Sequence, residues 1–360
     1  MSTHYGKNID IEIYGGSHDE CIGIIINGLP TGTKIDTEKL LAFMDRRKPG
    51  ANAFSTARRE ADTPEFIEGV RDGIITETTV HAVIRNTNQR SNDYTALSCV
   101  PRPSHADYAA IMKYGKDVDL RGGGHFSGRL TAPLCIAGAI CLQLLEEKGI
   151  YIGAHLYSVG NESDSAFDEL NVSREEIYSL KKAEFPVISD ECGKKMMQEI
   201  LDAKIVGDSV GAVIECAAIG LPAGLGEHMF SGVENRISSI IFGIPAVKGI
   251  EFGNAFDCAK KRGSEANDAF YTDGEKIYTK TNNCGGTIGG MTSGMPLIFR
   301  AAMKPTPSIA CEQDSVDMNT MTNVKLSVGG RHDPCVAVRA VPVFEAATAI
   351  AIFDMLLDKD

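Results

Sequence analysis

Apolar positions recur along the chain in two matching blocks. Gly23-Ile-Ile-Ile-Asn-Gly-Leu-Pro-Thr-Gly32 and Gly211-Ala-Val-Ile-Glu-Cys-Ala-Ala-Ile-Gly-Leu-Pro-Ala-Gly224 are both apolar runs ending in Gly-Leu-Pro-x-Gly. An amphipathic segment follows each one, over 36–44 with Asp36 as N-cap and over 233–242 with helical apolar spacing. Each segment then meets a proline-bearing turn, Lys48-Pro49-Gly50 or Gly243-Ile-Pro-Ala246. An offset of about 190 residues is too long for a solenoid. It predicts one domain, 1–360, built from two similar halves at approximately 1–200 and 201–360, with chance similarity as the alternative.

Further elements follow from period and length. Segments 80–85 and 210–217 read as strands, and 106–114 and 131–147 as helices. The latter helix is apolar on most faces, which predicts burial. A final helix is expected over 343–357, and exposed loops over 160–176 and 260–281, where polar residues cluster. Strands and helices mix without the alternation of a doubly wound sheet, which indicates α+β.

Composition narrows the function. A net charge of -12 excludes a nucleic-acid binder whose whole surface is basic, so the local clusters Arg46-Arg47-Lys48 and Arg58-Arg59 stand out. The ten cysteines are scattered with no Cys-x-x-Cys, so thiols in a reducing cytosol are expected and a structural zinc is not. No secretory h-region is evident and no apolar stretch is read as a bilayer span, which points to a cytoplasmic protein without membrane or nucleic-acid partners.

The candidate chemistry is concentrated. Arg-Pro-Ser-His-Ala-Asp-Tyr (102–108) and Arg-Gly-Gly-Gly-His-Phe-Ser-Gly-Arg (121–129) bring histidines, arginines and a glycine run together. Three glycines let main-chain N–H groups approach an anion, and Arg121 and Arg129 can add charge. His18, in Gly15-Gly-Ser-His-Asp19, sits in a turn that could present its imidazole; a structural histidine is the plainer reading. His105 precedes a predicted helix, where an imidazole could act as general acid or base. Arg46 and Arg47 could simply complement a helix C-terminus, or could bind phosphate and carboxylate. Near the C-terminus, 283–294 is rich in small residues and precedes Lys304-Pro-Thr-Pro-Ser308 and Arg331-His-Asp-Pro-Cys335, together a possible cofactor cradle. P-loop, Rossmann and Gly-x-Ser-x-Gly signatures are missing, which disfavours kinase-type, dehydrogenase and serine hydrolase readings.

Taken in order, Gly-Gly-Ser-His18, 45–50, 85–94, the two tracts above, Gly207-Asp-Ser-Val-Gly211, 222–227, 244–249 and 330–335 closely resemble the chorismate synthase family over nearly the whole chain. The resemblance implies a β-α-β sandwich with internal pseudo-two-fold symmetry and a homotetramer. It implies a lyase reaction of the shikimate pathway toward aromatic amino acids. That reaction is the anti-1,4 elimination of phosphate from 5-enolpyruvylshikimate 3-phosphate to give chorismate, with reduced FMN required but no net redox change. No flavin-reductase domain is evident, so an external reductant would supply the flavin; a pyridine-nucleotide (NADP) contact near Arg47, inferred in some members, is assigned to no residue here.

Residue by residue, the resemblance assigns His18 to protonating the departing phosphate, His105 to protonating the flavin near N1, and Asp333 to helping flavin N5 accept the C6 proton. Arg46, Arg47, Arg59, Arg129 and Arg339 fall on the family's substrate cations. The flavin contacts fall on His125, Phe126, Ser127, Pro245, Ala246, Gly289, Lys304, Pro305, Thr306, Pro307, Ser308 and Arg331. The chain departs from the family pattern at Gly16, Asp19, Ala53, Ser104, His125, Phe126, Gly128 and Leu130. Those departures leave a second reading, a non-catalytic paralogue that binds flavin or another anion.

Overall fold

A computed structural model describes residues 1–48, 61–86, 99–330 and 332–359. Ala53, Arg58, Arg59 and Arg331, and most of the 85–94 string, lie outside them. Two five-stranded antiparallel sheets flank a layer of helices. The first runs Ser2–Tyr5, Asp10–Gly15, Cys21–Asn27, Thr79–Arg85, Glu65–Glu68 in spatial order, and the second Val247–Phe252, Leu297–Met303, Ala212–Ile219, Tyr151–Val159, Glu162–Ser163. Helices Thr131–Glu147 and Ala337–Leu356 pack against each other between them, the former on the first sheet and the latter on the second. Helices Thr37–Arg47 and Val233–Phe242 pack beside the pair.

Alternation explains the sheets. Ile22, Ile24 and Ile26 are each fully buried on one face of Cys21–Asn27, opposite Ile84, Ala82 and Val80. The two central helices instead bury nearly every face, as helices enclosed on all sides must. They touch closely where a Cβ on Gly138 would stand 2.2 Å from that of Ala346.

The repeated sequence block has a shared structural cause. In each block the strand is followed by a glycine of positive φ, Gly28 at 90° and Gly220 at 80°. A Cβ there would lie 2.0 Å from the Asn8 carbonyl oxygen and 2.2 Å from that of Gly149, so only glycine lets the chain pass. The following leucines, Leu29 and Leu221, are buried. Along the chain, Asp10–Gly15, Cys21–Asn27, Thr37–Arg47, Glu65–Glu68, Thr79–Arg85 and Thr131–Glu147 take the topological places that Tyr151–Val159, Ala212–Ile219, Val233–Phe242, Val247–Phe252, Leu297–Met303 and Ala337–Leu356 take in the second sheet. The turn at 148–149 lies between these two runs of elements.

Three expectations need correction. Residues 160–176 do not form a bare loop: Asp164, Phe167 and Val172 are buried, and with Ile177 and Leu180 the apolar members cover Ala217 and Ile298 on the outer face of the second sheet. The last helix starts at Ala337, not 343, and carries Pro342 inside it. Gly128–Glu147 is long and apolar enough to cross a bilayer, contrary to the sequence reading, but it is buried inside the sandwich.

Candidate active site

A cavity of about 860 Å³ opens beside the N-terminal ends of the two central helices, lined from both halves of the chain. That volume suits a ligand or cofactor site. One wall is the glycine tract. Gly122, Gly123 and Gly124 have φ of 59°, 91° and 53°, a run of conformations that residues with a Cβ rarely adopt. The tract docks on the 15–19 turn, with Ser17 N donating to the Gly124 carbonyl (3.2 Å) and His125 Nδ1 lying 2.9 Å from the Gly15 oxygen. A carbonyl only accepts, so His125 carries its proton on Nδ1. His18 is buried behind this wall; a Cβ on Gly122 would stand 2.3 Å from its Cε1. Gly122 lines the cavity and His18 itself does not. Arg121 turns away to Asp119 (2.9 and 2.6 Å).

Past the tract, Phe126, Ser127 and Arg129 line the cavity with His125. Ser127 accepts from Arg129 N and starts a short 3-10 turn, Gly128–Leu130, that leads into Thr131–Glu147.

The cations converge on buried carboxylates. Arg47 donates to Asp62 (Nη1, 2.6 Å), Thr131 Oγ1 (Nε, 3.0 Å) and the Gly128 carbonyl (Nη2, 3.1 Å). Burial pulls its pKa down to about 10, although Asp62 works against that. Arg129 pairs with the other oxygen of Asp62 and donates to Asn86 Oδ1 (3.1 Å). Burial alone would raise the Asp62 pKa, but Arg47 and Arg129 outweigh it and hold the carboxyl below its ordinary range. Arg339 reaches Asp333 (Nη1 to Oδ2, 2.5 Å) and the Arg47 carbonyl (Nε, 3.1 Å). Arg47, Arg129, Arg339 and Asp333 thus share one wall.

Arg46 is placed differently. It grips Glu345 of the C-terminal helix through two bonds of 2.5 and 2.9 Å, and it does not line the cavity. Neither Arg46 nor Arg47 caps the carbonyls of its own helix; both reach carboxylates brought in by the tertiary fold.

His105 also lines the cavity, next to the glycine tract, in the loop that opens helix Asp107–Tyr114. That loop is fastened to the 304–308 segment: Lys304 Nζ donates to the Ser104 carbonyl (2.7 Å) and Arg102 Nη1 to Ser308 Oγ (3.2 Å). Burial and the nearby Lys248 lower the Lys304 pKa. Thr306, Pro307, Pro245 and Ala246 also line the cavity, whereas Pro305 and Gly289 do not. Ala246 holds φ of 76°, a strained value for a residue with a Cβ. The Thr306 hydroxyl oxygen is buried without a hydrogen-bond partner among the described residues.

Several lining or supporting residues escaped the sequence reading. Asp62 and Glu345 lack any local signature, while Asp107 and Arg102 stood inside the 102–108 string without an assigned role. His332 also lines the cavity, with burial lowering its pKa. Among the described residues no group of three or more His, Cys, Asp or Glu side chains could hold a metal.

The profile of the chorismate synthase family matches residues 9–357. The chorismate synthase of Lancefieldella parvula is 41% identical over 367 residues, covering 99% of this chain and 96% of that protein. That of Thermococcus kodakarensis is 43% identical over 355 residues, covering 98% and 97%. A chorismate synthase crystal structure superposes with a TM-score of 0.77 at 28% identity, covering 98% of this chain and 93% of the other. With a full-length sequence match, the same fold and a cation-walled cavity in agreement, this chain belongs to the chorismate synthase family.

Proposed function

We propose that the cavity binds 5-enolpyruvylshikimate 3-phosphate beside reduced FMN and performs the anti-1,4 elimination that gives chorismate and phosphate. The observation that carries this reading is the single cavity that Arg47, Arg129 and Arg339 line together with His105 and Asp333. A substrate bearing a phosphate and carboxylates needs several fixed guanidinium groups in a water-poor site, and buried, already oriented arginines avoid reorganisation at the moment of reaction.

The residues present fit the flavin. The partnerless Thr306 hydroxyl and Lys304 offer donors to an anionic, planar group, and Gly122, with no Cβ, lets it come close to the tract. His125, Phe126, Ser127, Pro245, Ala246, Lys304, Thr306, Pro307 and Ser308 would hold it. When bound, reduced flavin supplies a transient electron to the substrate and recovers it, leaving no net redox change. His125 departs from the family's arginine, yet its anchored Nδ1 leaves Nε2 as the atom available to a ligand.

In this reading His105 holds a proton at the cavity wall, and Asp333, oriented by Arg339, takes one up. His18 assists the departing phosphate from behind Gly122. Anaerobic turnover with photoreduced FMN and the enolpyruvyl substrate, followed by chorismate absorbance, tests it. Chorismate formation is expected; folded, flavin-binding protein that makes none above background would refute it.

A single domain of two similar halves, a homotetramer, an external flavin reductant and a cytoplasmic setting complete the proposal. The repeated strand order supports the first. Exposed Met229 and Phe230 support self-association, to be checked by sedimentation velocity.

A further inference from the structure

His105 is not alone in its loop. Asp107, two residues on, is almost fully buried and places Oδ1 2.6 Å from His105 Nδ1. The same carboxylate receives Arg102 through Nε (2.7 Å to Oδ2), Nη2 (2.8 Å to Oδ1) and the backbone N (3.0 Å to Oδ2). Burial would favour the neutral acid, but the hydrogen bonds from Arg102 and His105 outweigh it and keep Asp107 well below the usual carboxylate range. Asp107 is therefore an acceptor on both oxygens.

That fixes which ring nitrogen carries the proton. Arg102 Nη2 also lies 3.1 Å from Nδ1, but a bare Nδ1 would set its lone pair against a carboxylate oxygen at 2.6 Å. A proton on Nδ1 turns that repulsion into a short charge-assisted bond. Nε2 is left on the side of the glycine tract, 3.6 Å from where a Cβ on Gly123 would stand.

We propose that Asp107 is a positioning residue: through Nδ1 it fixes the tautomer and ring orientation of His105, so that Nε2 is the atom that exchanges a proton at the cavity. The role of His105 in proton transfer is the reading above, on which this inference rests. Arg102 completes the unit by holding Asp107 ionised and by joining it to Ser308 in the other half of the chain. The arrangement follows the general logic of an imidazole oriented by a buried acceptor.

Asp107→Asn separates the alternatives. The amide has one acceptor and one donor face, and Arg102 presents only donors. If the oxygen stays against Arg102 Nε and N, the NH₂ group faces Nδ1, and the imidazole is the one neighbour able to turn from donor to acceptor. The proton should move to Nε2. The measurement is ¹⁵N NMR of imidazole-labelled full-length protein, with the His105 signals identified by their loss in His105→Gln.

Wild type should show Nδ1 protonated and Nε2 bare in the neutral ring, and Asp107→Asn the reverse. Turnover should fall by at least about tenfold and its pH profile should shift, as for loss of a general acid–base group, while FMN affinity stays within threefold. A wild-type neutral ring with bare Nδ1 overturns the proposal, whether or not the variant folds. So does an unchanged ¹⁵N pattern in Asp107→Asn. Wild-type turnover in His105→Gln would instead refute the proton-transfer reading, leaving the tautomer assignment standing on its own signals.

Discussion

Arg46 offers a direct test of how the fold uses its cations, because its place in the family pattern and its place in the structure suggest different roles. Its side chain is 17% exposed and its partner Glu345 is completely buried, so the pair sits in the low-dielectric helix layer. Burial disfavours the guanidinium charge, yet Glu345 outweighs that and raises the Arg46 pKa. Removing the guanidinium in Arg46→Ala would leave the carboxylate with the Ala154 N–H (3.2 Å) as its remaining partner. An uncompensated buried charge costs about 3–5 kcal/mol, a large part of the roughly 5–15 kcal/mol by which a domain is stable.

The chain has no tryptophan, so urea unfolding is best followed by far-UV circular dichroism. Arg46→Ala should lower the midpoint by an amount equivalent to that cost. Replacing both partners, Arg46→Met with Glu345→Met, should return most of it, to within about 1–2 kcal/mol of wild type, because an apolar pair of similar volume avoids desolvation. The folded fraction of Arg46→Ala should keep its KM for the phosphorylated substrate within about threefold. The reasoning is refuted if Arg46→Ala stays within about 1 kcal/mol of wild type while KM rises tenfold or more. Arg46 would then leave Glu345 to meet the substrate, as the family pattern implies.

Three further outcomes are expected. Gly122→Ala adds a left-handed penalty of about 1–2 kcal/mol to an overpacking cost of about 1–3 kcal/mol; by pushing on His18 it should lower turnover about a hundredfold, and wild-type stability and turnover in this variant would contradict the docking of the tract on the 15–19 turn. Ser104 holds φ of 58°, so Ser104→Gly should stabilise by about 1 kcal/mol without loss of turnover, since the bond from Lys304 goes to the backbone carbonyl; a lower urea midpoint would show that the serine side chain has a role of its own. His155 is fully buried, and the carboxylates of Asp164 (3.5 Å from Nδ1) and Glu215 (hydrogen-bonded to Nε2 at 2.9 Å) outweigh desolvation to raise its pKa. A raised folded pKa gives stability that is complete below the unfolded value of about 6.5 and fades as pH climbs through the folded value, so the urea midpoint should fall between pH 6 and 9 in wild type but much less in His155→Gln; equal slopes would refute the assignment.

Much of the fold was readable from local pattern. Strand alternation, the all-apolar helix 131–147, the Asp36 cap and the Gly-Leu-Pro-x-Gly repeat depend on neighbours within a few residues, and each appears in the structure close to its expected place. The expected loop at 160–176 did not, because its polar composition concealed Phe167 and Val172, which bury only when the second sheet offers its outer face. The final helix was read short at its start, where Pro342 lies within a helix stabilised by contacts on all sides.

At the site, the sequence by itself determined the residue types: histidines, arginines and glycines strung in an order that carries the family. Only the tertiary structure decided their work. It sent Arg46 to Glu345, 299 residues away, and placed Asp62 between Arg47 and Arg129. It set His18 behind Gly122 and joined His105 to Asp107 and Arg102. The reason is physical: helices, strands and tight turns are set by contacts between near neighbours, which leave a period or a motif in the chain. A buried charge must be compensated by whatever the fold brings beside it, and that partner leaves no mark in the residues next to it.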